Sequence, residues 1–326
     1  MNSLHPYPRL LADIGGTNAR FALETAPGII EDIDVLPCND YPTLADAMRA
    51  YLQRAGTRSV SHAAIGIANP VTGDFVQMTN HHWAFSIEAT RQELGFATLL
   101  VLNDFTALAL ALPHLPAAEL VQVGGGEPRH GAKALIGAGT GLGVSGLLPH
   151  GGSWVAIAGE GGHVSFAPVN DEEAAILHYA QGRLGQHVSC ERFLSGPGLE
   201  LIHDALAVAD GEAAGQLSAA QISERGLSGR DPRCVRVLEH FCAMLGTAAG
   251  NLALTLGAVG GVYIGGGIVP RFGDMFARSA FRERFEAKGR FRDYLAALPV
   301  YVIHSAYPAL TGVQAALADH LGDNHA

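Results

Sequence analysis

Cysteine is scarce in this chain and basic clusters are missing. Only Cys38, Cys190, Cys234 and Cys242 occur. None forms a C-x-x-C pair, which argues against a zinc knuckle and a disulfide framework. Such sparing use fits a reducing compartment, so a cytoplasmic location is expected. No run of Lys or Arg exceeds a pair, and the formal net charge is -10. That balance argues against a duplex nucleic-acid partner, which needs a basic surface to displace counterions. An anionic nucleotide stays compatible, because backbone N–H groups and magnesium can hold phosphates without bulk charge. The N-terminal MNSLHPYPRLL lacks a basic region followed by an apolar one, so no signal peptide is expected. Residues 243–270 carry no Asp, Glu, Lys or Arg, a length that could span a bilayer. Asn251, eight glycines and a Gly-Gly-Gly turn within that stretch favour a buried helix followed by a buried strand, and no membrane partner is expected.

Apolar residues and glycine are plentiful instead. Hydrophobic residues make up 48% of the 326 and charged residues 16%, enough for a sizeable core arranged as two lobes. The 41 glycines cluster, which marks places where backbone must approach a ligand or another strand. Strand-like and helix-like segments alternate throughout, predicting an α/β architecture. Strands are expected at 10–14, 19–23, 63–68, 98–102, 134–136, 144–148, 262–264 and 300–304. Helices are expected at 43–55, 105–112, 172–184, 199–208, 233–256 and 311–321. The polar, glycine-rich GGGEPRHG at 124–131 reads as a connection where the lobes could divide.

Two strand–turn–strand units echo each other. LLADIGGTNARFAL places Asp13, Ile14, Gly15, Gly16, Thr17 and Asn18 between two apolar strands, and ALIGAGTGLG places Gly139, Thr140 and Gly141 likewise. An echo at such separation suggests two lobes on one plan. Glycines there permit positive φ and leave no Cβ between N–H groups and a ligand oxygen. The first turn alone would favour an ordinary hairpin, and it is neither a Walker loop, since no G-K-[ST] occurs, nor a G-x-G-x-x-G dinucleotide turn. As a pair they could grip a polyphosphate from two sides, with Asp13 orienting a hydrated magnesium. The run Gly265, Gly266 and Gly267 after a buried strand is either a site where a flat base lies against backbone or a plain strand-to-helix turn.

Read together, ADIGGTNARFAL (12–23), MTNHHWAFS (78–86), NDFTA (103–107), GAGTGLG (137–143), GEGGH (159–163), SCERFLSGPGL (189–199) and GGVYIGGGIVPRF (260–272) resemble the bacterial glucokinase family, within the hexokinase–actin–heat-shock-chaperone ATPase superfamily. The motifs appear in that family's order from near the start to Pro308. The resemblance implies a two-lobed, actin/hexokinase-like (ribonuclease H-like) α/β fold with a central nucleotide and sugar cleft. The small lobe would comprise 1–114 plus 306–326 and the large lobe 115–305. It implies transfer of the ATP γ-phosphoryl group to the 6-hydroxyl of glucose, with Mg2+ as cofactor and a homodimer as the assembly. The cleft would close by a hinge near 124–131 and the C-terminal return. Ala12 stands where related sequences often have Gly, and Asn69 where a Cys or small residue would be expected.

Carried onto matching positions, the resemblance makes Asp104 the general base and Asn103 its sugar-binding neighbour. Glu160, His163 and Glu191 become ligands of the hydroxyls near the anomeric carbon. Ala12, Asp13, Ile14, Gly15, Gly16, Thr17, Gly139, Thr140, Gly141, Gly265, Gly266 and Gly267 become the nucleotide site. Read without it, Asp104 is a helix N-cap, Asn103 a turn residue, His163 a satisfied loop histidine and Glu191 a solvated helix start. The E-x-x-H pair has no third ligand nearby. The cysteine-rich zinc cluster of the related repressor-and-kinase group is missing, so no zinc is expected. The competing readings are a kinase for another hexose or amino sugar, a sugar-sensing regulator, and a chaperone-like ATPase. A regulator would need a DNA-binding domain for which no room precedes residue 13, and a chaperone-like ATPase needs no N-D pair or sugar-facing carboxylates.

Overall fold

A computed structural model describes residues 7–57, 59–215 and 217–323. The stretch read for a leader therefore lies mostly outside the described residues. The chain divides into two compact units: the residues up to Pro116 together with those from Ser305 onward, and Ala117–His304. The division falls before residues 124–131, not within them as the glycine-rich composition suggested. That segment is already tied to the larger unit, because Val123 N–H donates to Val300 O and Gly126 N–H to Ala297 O.

The smaller unit runs β1 (Arg9–Ile14), β2 (Asn18–Ala26), β3 (Ile29–Pro37), α1 (Leu44–Arg54), β4 (His62–Ile67), the hairpin β5 (Phe75–Gln77) and β6 (Ala84–Ser86), α2 (Ile87–Leu94), β7 (Thr98–Asn103) and α3 (Asp104–Ala111). Its sheet has the order β3-β2-β1-β4-β7. Strand alternation sends side chains to two layers. Leu10, Ala12 and Ile14 pack with Leu44, Met48 and Tyr51 of α1. Leu11 joins Ala64 and Ala107 under Leu310, Val313 and Leu317 of the C-terminal helix Pro308–Leu321. Burial on both faces explains why Leu10–Ala12 of β1 and Ala63–Ile65 of β4 read as continuous apolar runs. Small residues set the second layer's spacing. A Cβ on Gly66 would lie 3.3 Å from Ala107 Cβ, and one on Gly312 only 1.7 Å from Ala107 O.

The larger unit runs β8 (Leu120–Gln122), β9 (Lys133–Ala138), β10 (Leu142–His150), β11 (Ser153–Ala158), α4 (Asp171–Leu184), α5 (Gly196–Ala209), α6 (Ala219–Leu227), α7 (Pro232–Leu256), β12 (Val262–Gly265), the short α8 (Asp274–Arg278), α9 (Phe281–Glu286) and α10 (Arg292–Ala296), and β13 (Val300–Ile303). Its sheet order is β11-β10-β9-β12-β13-β8. The apolar length of α7 serves this core, where Val237, Leu238, Phe241, Leu245 and Ala249 are buried.

The first five strands of this order repeat the smaller unit's sheet. β1 is antiparallel to β2 and parallel to β4, as β9 is antiparallel to β10 and parallel to β12. Ile14 thus corresponds to Ala138, and Gly66 to Gly265, since Asp13 pairs with Gly66 and Gly137 with Gly265. The echo read in the sequence is the visible part of this duplication.

Candidate active site

The duplicated hairpins present two matching turns, Gly15–Gly16–Thr17 after β1 and Gly139–Thr140–Gly141 after β9. In each, the first glycine's N–H is consumed inside the turn: Gly15 N donates to Asn18 O at 3.0 Å, and Gly139 N to Gly141 O at 2.8 Å. The next two N–H groups, of Gly16 and Thr17 and of Thr140 and Gly141, make no hydrogen bond among the described residues. Adjacent unpaired N–H groups form an anion-binding concavity. The expected positive φ is absent at these four glycines; of the glycines proposed for nucleotide binding only Gly266 has it, at 77°. Space is what Gly16 and Gly141 supply. A Cβ on Gly16 would press on Asn80, at 3.1 Å from its Cβ, and one on Gly141 would strike Glu191 Oε2 at 2.4 Å. The third turn closes on the second strand end, since a Cβ on Gly266 would fall 2.3 Å from Ala138 O.

Asp13 stands opposite Arg20 in the β1–β2 register, and Arg20 Nη1 donates to its Oδ2 at 3.0 Å. Burial pushes the Asp13 carboxyl above its ordinary range while the Arg20 guanidinium pulls it back. Sequence reasoning passed over Arg20, although a three-residue hairpin turn fixes that pairing by counting. Among the described residues no group of three or more His, Cys, Asp or Glu could cage a metal. Magnesium asks for less, one carboxylate with water and substrate phosphates. Asp13, one residue before the first turn's strand end, fits that demand.

At the end of β7, Asn103 is the N-cap of α3, its Oδ1 accepting from Phe105 N at 3.0 Å and Thr106 N at 3.1 Å. The cap predicted for Asp104 thus falls to its neighbour, and Asp104 opens the first turn. Asp104 Oδ1 accepts from Phe105 N at 2.8 Å and from Asn103 Nδ2 at 3.0 Å. Both residues are half-buried. Asn103 Nδ2 also reaches Asn69 O at 3.5 Å, and Asn69 Oδ1 accepts from Thr79 N and Oγ1, each at 3.2 Å. Asn69, read from sequence as a departure from the family pattern, therefore links the Asn103 cap to the segment TNHHW.

In the larger unit, Glu160 precedes and His163 ends the 3-10 turn Gly161–His163, which lies flat on β10. Cβ atoms on Gly161 and Gly162 would collide with Val144 Cγ1 at 2.7 Å and Leu142 O at 2.0 Å, so only glycine fits there. Glu160 and His163 are exposed, with Oε2 and Nε2 3.9 Å apart, beyond hydrogen-bond reach. His163 is thus solvent-exposed rather than the satisfied loop histidine that its sequence context allowed. The segment carrying Glu191 is pinned beside them, Phe166 N donating to Val188 O and Cys190 N to Val164 O, both at 2.9 Å. Glu191 is half-buried rather than solvated, and its Oε2 accepts from Leu142 N at 3.0 Å.

Known proteins share this architecture. A ROK-family glucokinase of Streptomyces griseus, solved with glucose and AMPPNP, superposes with a TM-score of 0.65 at 21% identity, covering 96% of this chain and 100% of its own. A glucokinase from an Antarctic psychrotroph superposes at 0.88 with 38% identity over 96% of this chain and 99% of its own. The duplicated sheets and these neighbours define a sugar kinase of the actin-like ATPase fold. The glucokinase family profile matches residues 10–320, and the glucokinase of Chromobacterium violaceum is 66% identical over 97% of this chain and 90% of its own length. The chain belongs to the glucokinase family.

Proposed function

We propose that this chain transfers the γ-phosphoryl group of ATP to the 6-hydroxyl of D-glucose, giving glucose 6-phosphate and ADP. The observation that carries the reading is the pair of three-residue turns, at corresponding strand ends of duplicated sheets, each offering two unpaired backbone N–H groups. Such groups suit phosphate oxygens and need no lysine, which fits a chain without a Walker loop.

Asp104 accepts the proton of the 6-hydroxyl as that oxygen bonds to the γ-phosphorus and the bond to the departing ADP oxygen breaks. Asn103 holds the Asp104 carboxylate and binds the sugar. Glu160, His163 and Glu191 take the hydroxyls near the anomeric carbon, matching donors and acceptors. The backbone at Ala12, Asp13, Ile14, Gly15, Gly16 and Thr17 and at Gly139, Thr140 and Gly141 holds the phosphates, and Gly265, Gly266 and Gly267 lie against the base. Asp13 would hold magnesium through water; when bound, the ion supplies charge neutralisation on the phosphates. The two lobes of the reading, 1–114 with 306–326 and 115–305, differ from the two compact units by one or two residues at each boundary. A reducing cytoplasmic location agrees with four buried, unpaired thiols, and a homodimer is the assembly the family resemblance suggests.

Purified protein assayed with Mg2+, ATP or other polyphosphate donors and a panel of hexoses tests the reading. Glucose with ATP should give the highest kcat/KM, with phosphate on the 6-hydroxyl. A higher kcat/KM for another hexose or an amino sugar would reassign the substrate, and absence of transfer to any sugar would defeat the proposal.

A further inference from the structure

Three segments of the larger unit converge on one backbone position, Leu142. It follows the turn Gly139–Gly141 directly. Its carbonyl oxygen supports Gly162 between Glu160 and His163, where any side chain would clash at 2.0 Å. Its N–H donates to Glu191 Oε2 at 3.0 Å. A second strut parallels this bond, since Gly196 N donates to Gly139 O at 2.8 Å. Ser195 Oγ in turn donates to the Glu191 carbonyl at 2.8 Å. The SCERFLSGPGL segment thus grips the turn at both ends, through Glu191 and Gly196.

We propose that Glu191 serves both substrates: one carboxylate oxygen takes a sugar hydroxyl while the other fixes the nucleotide turn. Gly141 is the positioning residue that leaves the carboxylate room. The proposal rests on the sugar-binding role given to Glu191 above. A sugar that orders this side chain also orders the turn, so the nucleotide meets a prearranged set of N–H groups. By linkage the nucleotide strengthens sugar binding by the same factor. The coupling arises inside one unit, from a single carboxylate.

The test measures dissociation constants for glucose alone and for magnesium AMPPNP alone in the whole protein, with circular dichroism confirming the fold. Glu191→Ala removes both roles and should weaken AMPPNP about 5-fold and glucose about 10-fold. Glu191→Gln keeps an acceptor for Leu142 N–H, so AMPPNP binding should stay within about 2-fold while glucose still weakens. Gly141→Ala should weaken glucose about 5-fold although it alters no sugar-touching side chain, because its methyl displaces Oε2. Weakened glucose binding with native AMPPNP binding in Glu191→Ala overturns the coupling alone. Native glucose binding in both Glu191 variants overturns the sugar role beneath it. Should Glu191→Ala fail to fold, Gly141→Ala decides, and native glucose binding there defeats the proposal.

Discussion

Asn103 Nδ2 donates to Asp104 Oδ1 at 3.0 Å, while Asn103 Oδ1 caps α3 through the N–H groups of Phe105 and Thr106. One amide therefore fixes the helix start and aims the carboxylate beside it. Asn103→Ala should lose about 1 kcal/mol of stability from the missing cap and about tenfold in kcat from the loosened base. Asn103→Asp keeps a cap acceptor but sets a like charge next to Asp104. A like charge raises a carboxyl pKa, so the acid limb of the kcat/KM profile should move to higher pH. A wild-type limb in Asn103→Asp would separate Asp104 from the proton transfer.

Gly312 and Ala107 bring the C-terminal helix against α3, with 1.7 Å between a Cβ on Gly312 and Ala107 O. Backbone cannot yield as a side chain can, so Gly312→Ala should cost at least about 1–3 kcal/mol. Thermal unfolding should show a midpoint lowered by several degrees. An unchanged midpoint would mean that the helices separate freely.

Asp13 carries a different trade. Burial raises its carboxyl against the pull of Arg20, so the folded state binds that proton more tightly than the unfolded chain. The raised pKa contributes stability below the unfolded value and loses it as pH rises through the folded one. Asp13→Asn should therefore melt no lower than wild type at pH 7, while its turnover falls and its magnesium requirement rises. A lower midpoint at pH 7 would show that the Arg20 pair outweighs the desolvation.

The cysteines make a chemical prediction. All four are buried and free, and burial raises each thiol, Cys190 and Cys234 to about 11 and Cys242 to about 12. Thiolate is the reactive form. A disulfide reagent at pH 7 should titrate the native protein slowly and leave turnover intact, whereas unfolded chain should react at once. Fast loss of activity would place a reactive thiol at the site.

Much of this was legible because period and punctuation agreed. The strand at 134–136 is a continuous apolar run and that at 10–14 is broken only by Asp13; each leads to a turn built of Gly and Thr, and both are found. β3 escaped notice because it carries Glu31, Asp32 and Asp34 and leaves Ile29, Ile33 and Val35 exposed, which blurs the alternation that marks a half-buried strand. The start of α5 escaped because Gly196-Pro197-Gly198 reads as a turn. Ser195 caps the helix there and Pro197 fits its first turn, while Gly198 avoids Phe193 O, 2.2 Å from its would-be Cβ. The contact of Glu191 with Leu142 spans 49 residues, and no local pattern encodes it. The conformation of Gly15 and Gly16 was misread for a related reason: composition shows that a side chain is missing, but whether φ or a neighbour such as Asn80 forbids one depends on the fold.

The role of Asp104 is tested most directly by glucose binding and steady-state turnover of Asp104→Ala side by side. The account predicts kcat lowered about 10²-fold or more, with glucose affinity changed far less, because the carboxylate matters most when the 6-hydroxyl gives up its proton. Near-native turnover, or a collapse of affinity with kcat preserved, would contradict it.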